Sequence, residues 1–490
     1  MSDSFFSRVM KVGAIQRQGI ISLLNLLAFS GIGFASTIYF AHSVGASVLG
    51  AFFLFMSYYG IMGMFIDGGI GGAAIKRISE GEEQDAYFTA FFVIRSVFIV
   101  AVVLVLSIAR SLFVDLNNSG LFNWLLIVLI ANAITGAVSI GVAGRMKMGI
   151  RSTCNTITNI SSVIIQVAAI YFGFGAYGLA GGVVAGLFIG GIIEFHFFDL
   201  HFAPFKRRHI KSLFVFAFWL FLSSGGAMVF LQADTILIGH FMEYSDVGVY
   251  RVVMQFTMVA TFTTNALRNI LWPSVSQWGK SGEINRVEES LARALSYSLL
   301  LALPVLAGGI LLGDKLLYYL YGAEFSSGYT ALIILLAVQV VNVFQYFFTM
   351  YLDALDHPKD SFKVTAISGI ANVLLNIIFI PLYGIKGAAI ATLLSMIFNV
   401  FLARRALSRI ISIKVEHSSL KNILMATTAM AVLVGLYRMF IHLSNIWVTL
   451  LAVAAGGIIY SFLILKLDKK ICNELRDITV KLRLPWPNWL

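Results

Sequence analysis

The sequence predicts an all-α polytopic membrane protein with about fourteen transmembrane helices: two six-helix bundles and two extra C-terminal helices. Three observations carry that expectation. The first is composition: 490 residues are 59% hydrophobic and 12% charged, with a mean hydropathy of +0.87, whereas a soluble domain carries roughly 25% charged residues. The second is a one-sided distribution of Lys and Arg. The third is an internal repeat near the middle of the chain.

The repeat aligns without a gap. Residues 38–52 read IYFAHSVGASVLGAF and residues 236–250 read ILIGHFMEYSDVGVY. His42 falls on His240, Ser47 on Ser245, Gly50 on Gly248 and Phe52 on Tyr250. A second match pairs Tyr177-Gly178-Leu179-Ala180-Gly181 with Tyr383-Gly384-Ile385-Lys386-Gly387. Both turns open helices with a small first face, Gly181, Gly182 and Ala185 in one and Gly387, Ala388 and Ala391 in the other. Small faces let helix backbones approach closely in lipid. The matches join odd spans to odd and even to even, so the repeat keeps its topology, with a pseudo-twofold axis along the membrane normal. The lobes are expected at 1–205 and 206–412, with the last two spans and a basic tail at 413–490.

In chain order, apolar runs long enough to span occur at 19–41, 48–66, 87–109, 121–142, 155–173, 177–198 and 212–239. They continue at 246–267, 294–313, 328–351, 363–381, 385–403, 421–441 and 446–465. With a cytoplasmic N-terminus, the inner loops and tails hold 29 Lys and Arg and the outer loops hold four: Arg110, Lys315, Lys386 and Arg438. That asymmetry places both termini in the cytoplasm. The N-terminal SFFSRVMKVGAIQRQ mixes aromatic and basic residues and is expected along the inner headgroups. After the last span, Leu467, Ile471, Leu475, Ile478 and Leu482 recur at helical spacing among basic residues. This is a basic amphipathic helix closed by Trp486 and Trp489 as interfacial anchors.

The net charge of +11 sits in short loops between spans, which points to acidic headgroups and not to nucleic acid. Cys154 and Cys472 lie too far apart in sequence for a disulfide framework or zinc site to be read from them. No metal or cofactor is implied. Gly279-Lys280-Ser281 lacks the upstream glycine and the strand of a phosphate-binding loop, and the histidines form no HExxH pair. His196, His201 and His209 crowd one connection beside Lys206, Arg207 and Arg208, expected to face headgroups. With no ATPase signature and no catalytic residue to name, the reading is a transporter and not an enzyme.

Ionisable residues inside spans are costly in lipid and are usually turned to a cavity or a partner. Arg95 lies near mid-depth in the third span, Arg251 and Asp234 just inside the outer ends of the eighth and seventh, and Asp67 and Glu194 toward inner ends. Arg95, Arg251 and Arg268 together would make a cationic path suited to a phosphate or pyrophosphate, which arginine grips with its planar fork. Asn265, three residues from Arg268 on one helix face, and Arg17 could line its inner mouth. Against this, Asp234 and Arg251 could form a salt bridge pinning the hairpin, and Asp67 and Glu194 could snorkel to the interface. Arg95 buried against a carboxylate would leave the path.

Asp234-Thr-Ile-Leu-Ile-Gly239, followed by Val247-Gly248-Val249-Tyr250, resembles the start of the second lobe of polysaccharide flippases. These belong to the superfamily of multidrug, oligosaccharidyl-lipid and polysaccharide exporters. Gly45 through Gly50 resembles the matching corner of the first lobe, and the Tyr-Gly-x-x-Gly turn after Asn372 and Asn376 also fits. The resemblance implies two bundles in a V around a cationic cavity. It implies flipping of a polyprenyl-linked oligosaccharide from the inner to the outer leaflet of the plasma (inner) membrane by alternating access. The implied partners are a polyprenyl-phosphate-linked glycan, membrane lipids and a glycan polymerase or glycosyltransferases. Two other readings compete. A cation-coupled multidrug exporter would use Asp67, Asp234 and Glu194 as coupling carboxylates in a neutral or negative cavity. A non-transporting scaffold of glycan assembly would have no continuous cavity.

Overall fold

The computed structural model describes residues 14–414, 416–473 and 476, and every regular element among them is helical. The side chains of 14–29, 219, 222–227 and 229–231 lie outside that description. So do the aromatic-basic start of the chain and most of the expected amphipathic tail, with Leu475, Ile478, Leu482, Trp486 and Trp489. Eleven helices among the described residues are long and apolar enough to cross a membrane. The chain divides into two compact units, Met1–Met228 and Val229–Leu490.

The first unit opens on α1 (Ala14–Asp67), whose helical course is interrupted at Gly45 with φ 74° and ψ 178°. That conformation is open essentially to glycine alone. One residue therefore makes the corner that the sequence places between its first two spans. A second break follows Asp67, where Gly68 and Gly69 both take positive φ, 52° and 74°, before α2 (Ile70–Ser79). Then come α3 (Gln84–Ile108), the short α4 (Val114–Asn118), α5 (Phe122–Gly144), α6 (Met148–Tyr171) and α7 (Gly175–Phe195). Ile70, Ile78, Phe88 and Phe91 form a core with Leu213 and Ala217 of α8 (Arg207–Phe241).

The segment joining α7 to α8 is pinned along the start of α3. His201 N–H donates to Asp85 at 3.0 Å and Ala203 N–H to Thr89 at 2.9 Å. Asp199 accepts from Lys147 at 2.9 Å and from Arg145 at 3.1 Å. Burial works to raise the Asp199 carboxyl, but those hydrogen bonds and charges outweigh it and hold it below the usual carboxylate range. His209, expected to face headgroups, is 1% exposed. Its Nδ1 accepts from the Lys206 amide, so Nε2 carries the proton donated to Glu83 at 3.0 Å. That bond first, and the charge of Arg208, hold Glu83 low.

The second unit continues with α9 (Tyr244–Thr257), α10 (Phe262–Lys280), α11 (Ile284–Tyr321), α12 (Tyr329–Ala354), α13 (Pro358–Tyr383) and α14 (Ile385–Leu407). The expected continuous span at 246–267 is broken by a 3₁₀ turn, Met258–Thr261. Thr257 and Thr261 each return a hydroxyl to the carbonyl three residues back at 2.8 Å, a local bond that competes with helix geometry. α15 (His417–Phe440) and α16 (Ile446–Leu467) pack on each other and on α11. Arg438 grips Asp314 through both nitrogens at 3.0 and 2.9 Å, and Tyr460 donates to the Leu300 carbonyl at 2.8 Å.

Candidate functional site

In the second unit, Asp234 on α8 sits 5% exposed at the centre of a buried polar cluster. Its Oδ1 accepts from Asn376 at 2.7 Å, and its Oδ2 accepts from Tyr250 and Thr392 at 2.7 Å each. The cluster extends through Asn372, which accepts from Asn376 at 3.1 Å and donates to Ser395 at 3.1 Å. Its geometry follows from helix spacing. Asn372 and Asn376 lie four apart on α13, and Thr392 and Ser395 three apart on α14, so each pair shares a face. Arg251 lies within electrostatic reach of Asp234 and Tyr250. Tyr250, the neighbour of Arg251, ties α9 to Asp234 of α8, a partner the motif contained but sequence reasoning did not assign.

A second polar line runs inside the same unit. Asn342 donates to Gln339 at 2.9 Å, and Gln339 to Thr257 at 3.1 Å, at the edge of the 3₁₀ break. Asn265 donates to Thr261 at 3.4 Å. Arg268, half-buried, lies 5.8 Å from the Tyr346 ring and acts electrostatically on Asp353. Asn265 and Arg268 both lie on α10, just after the 3₁₀ break.

In the first unit the structure brings Arg95 and Asp67 together. The guanidinium, 7% exposed, donates from Nη1 to Asp67 at 3.3 Å and from Nη2 to the Asn132 carbonyl at 3.1 Å. Tyr59 lies beside it and hydrogen-bonds with Asn132. Gly136 makes the space, since a Cβ there would come within 2.6 Å of Nη2. Arg95 is therefore buried against a carboxylate, that of Asp67, whose own side chain is 39% exposed. Arg95 is also among the residues lining an open, apolar pocket of about 370 Å³, with Phe92, Val103, Ile130 and Ile134.

Glu194 does not snorkel. It is 4% exposed on α7, beside Ser139 of α5 and Cys154 of α6, and its Oε1 has no hydrogen-bond partner. Both cysteines are free and buried. The Arg17 side chain lies outside the described residues. No group of three or more His, Cys, Asp or Glu among the described residues could hold a metal ion.

A family model described as polysaccharide biosynthesis protein matches residues 45–329, more than half of the chain. Two relatives in Haloferax volcanii are similar along most of their length. The probable low-salt glycan biosynthesis flippase Agl15 is 26% identical over 88% of this chain and 92% of its own. The probable flippase AglR is 28% identical over 91% and 94%. Among solved structures, the inward closed lipid II flippase MurJ superposes with a TM-score of 0.77 at 17% identity, over 91% of this chain and 98% of that one. An inward-facing multidrug-resistance MATE transporter superposes with a TM-score of 0.65 at 16% identity, over 77% and 94%. At such identities these two likenesses speak for the fold alone.

Proposed function

The chain belongs to the polysaccharide biosynthesis protein family, and from that membership we propose that it is a flippase for a lipid-linked oligosaccharide or polysaccharide precursor. The cargo moves from the inner to the outer leaflet of the plasma membrane by alternating access, and the protein performs transport without covalent chemistry. The observation that carries this reading is the alignment, over about nine-tenths of both chains, with two relatives named as probable flippases. The 29-to-4 asymmetry of Lys and Arg supports cytoplasmic termini. A glycan polymerase or glycosyltransferases would act before or after it on the same polyprenyl-phosphate-linked glycan.

In this reading the lobes 1–205 and 206–412 alternate, with 413–490 riding on the second. Arg251 and Arg268, with Asn265 and Arg17, meet the phosphates. The guanidinium of Arg95 is taken up by Asp67 and Asn132, so Arg95 serves as a positioning residue. The 3₁₀ turn at Met258–Thr261 is the sort of mid-helix break that accompanies hinges.

The test is reconstitution with a lipid-linked sugar whose outer-leaflet exposure is scored. Arg268→Ala is expected to slow flipping by roughly tenfold, the loss of one charge-assisted contact of about 1.5 kcal/mol. Unaltered flipping in both Arg251→Ala and Arg268→Ala would remove the cationic path. A second reading, a cation-coupled multidrug exporter, is favoured by one observation: a buried Asp234 ringed by amide and hydroxyl groups. Cation-dependent export of organic cations, with no exposure of the sugar, would select it.

A further inference from the structure

Arg268 of α10 has donors to spare. Among the described residues its guanidinium makes no hydrogen bond and no direct ion pair, and the groups that act on it come from one helix. Tyr346 and Asp353 of α12 lie seven residues apart, two helical turns, and so share a face. The Tyr346 ring centre is 5.8 Å from the guanidinium carbon, within the range at which a ring face attracts a cation. The Asp353 carboxylate acts on the same guanidinium through its charge. Leu267 and Leu271, which bracket Arg268, pack against the cluster that holds Phe347, Met350 and Tyr351 of α12. The base of the arginine is therefore fixed against that face, while its tip is tied to nothing by a hydrogen bond.

Asp353 has a second neighbour. The hydroxyl of Ser361, buried in the first turn of α13, hydrogen-bonds with the carboxylate and holds it where α12 ends. A carboxylate accepts several donors, and this one has taken a single neutral one among the described residues. Arg268 is thus open to two anions, the carboxylate beside it and a phosphate of the cargo. A phosphate matches the planar fork with two oxygens at once, so it takes the guanidinium when it is present. The carboxylate attracts the guanidinium back as the phosphate leaves.

We propose that Asp353 is a positioning residue that competes with the cargo's phosphate for Arg268 and so sets how readily a bound diphosphate is released. The opposed arginine holds its anion more weakly than a lone one would, and empties faster. Tight holding would only lengthen each cycle, just as uniform binding lowers KM without raising kcat in catalysis. The inference rests on the flippase reading for the cargo, and on α10 and α12 for the pair.

Two measurements on the full-length protein test this: binding of farnesyl diphosphate in detergent, and the rate of sugar exposure after reconstitution. Asp353→Asn should tighten binding by roughly fivefold, the upper value for a partly exposed charge pair. It should also lower the half-saturating sugar-lipid concentration and the maximal exposure rate together. In an Arg268→Ala background the same change should shift affinity by about twofold or less, since the two residues act as one unit. Should Asp353→Asn fail to fold, Asp353→Ser must show the same gain. Affinity unchanged in Asp353→Asn, or an equal gain with and without Arg268, overturns the proposal. So does a gain reproduced by Ser361→Ala, which loosens the α12–α13 turn but keeps the carboxylate, and so does absence of binding in both wild type and Asp353→Asn. Wild type that binds the diphosphate but exposes no sugar defeats the flippase reading alone, because the affinity cycle is read without transport.

Discussion

The hairpins α6–α7 and α13–α14 occupy the same place in the repeat, each with Tyr-Gly-x-x-Gly where its second helix begins, yet they are held together by a different balance of forces. In the first, glycines bring the helices into direct contact. A Cβ at Gly182, Gly186 or Gly190 would come within 2.4, 1.9 or 1.7 Å of Gln166, Ser162 or Thr158. In the second, one glycine makes such a contact beside the turn, where a Cβ at Gly387 would come within 2.0 Å of the Phe379 carbonyl, and asparagines and hydroxyls join the rest, from Asn372 to Ser395 and from Asn376 and Thr392 to Asp234. Close backbone contact and side-chain hydrogen bonds are the two known adhesives between helices in lipid. A duplicated hairpin can evidently exchange one for the other. The polar version supplies donors to both oxygens of a carboxyl, and that is where Asp234 sits.

Removing that charge should break the comparison most. Asp234→Ala strands the donors of Tyr250, Asn376 and Thr392, at roughly 1–3 kcal/mol for each group left unpaired. A large drop in melting temperature is expected, with Asp234→Asn falling less, both read by intrinsic fluorescence in detergent. Next in size, Gly186→Val inserts branched bulk where no Cβ fits and should cost about 1–3 kcal/mol or more, scored by size-exclusion monodispersity. A smaller effect sharpens the contrast. Thr392→Val removes one bond of the second hairpin and Gln166→Leu removes the bond of Gln166 to the Leu179 carbonyl in the first, each worth about 1 kcal/mol. Thr392→Val should hurt more, because it also deprives a carboxylate.

The smallest effect lies outside both hairpins. Asp199 is held below its ordinary range by Lys147 and Arg145. Its contribution is therefore present above the unfolded value of about 3.9 and is lost as pH falls through the lowered folded value. Its side chain is 40% exposed, so screening limits the gain to about 0.2–1 kcal/mol. Asp199→Asn should flatten the acid limb of a stability–pH curve by that much and no more.

What could be read in the sequence, and what could not, divides along a physical line. Apolar run length and charge asymmetry depend on nearest neighbours, so the helical class was visible, as was the repeat that places Gly45 and Glu243 at matching corners. Partners across helices depend on which face meets which. The 28 residues between Asp67 and Arg95, and the 142 and 158 that separate Asn376 and Thr392 from Asp234, carry no periodic signal that pairs them. The Asn372/Asn376 spacing did mark a polar face in an apolar helix, and it is the one clue that could have located the cluster. Glu194 was expected at an interface because its position along the helix was legible while its neighbours on α5 and α6 were not. The 3₁₀ break was hidden for another reason: threonine back-bonding is a local option that composition does not announce.

The corner at Gly45 spends a single residue on breaking the helix, whereas its counterpart uses Met242 and Glu243, with the Glu243 amide donating to Asp246 at 3.4 Å. A one-residue corner has no slack. Proteases need several extended residues to thread a cleft, and an inserted epitope needs somewhere to loop out. The first corner should thus resist both nicking and tagging, while the Ser281–Gly282 turn offers such an engineer an open door.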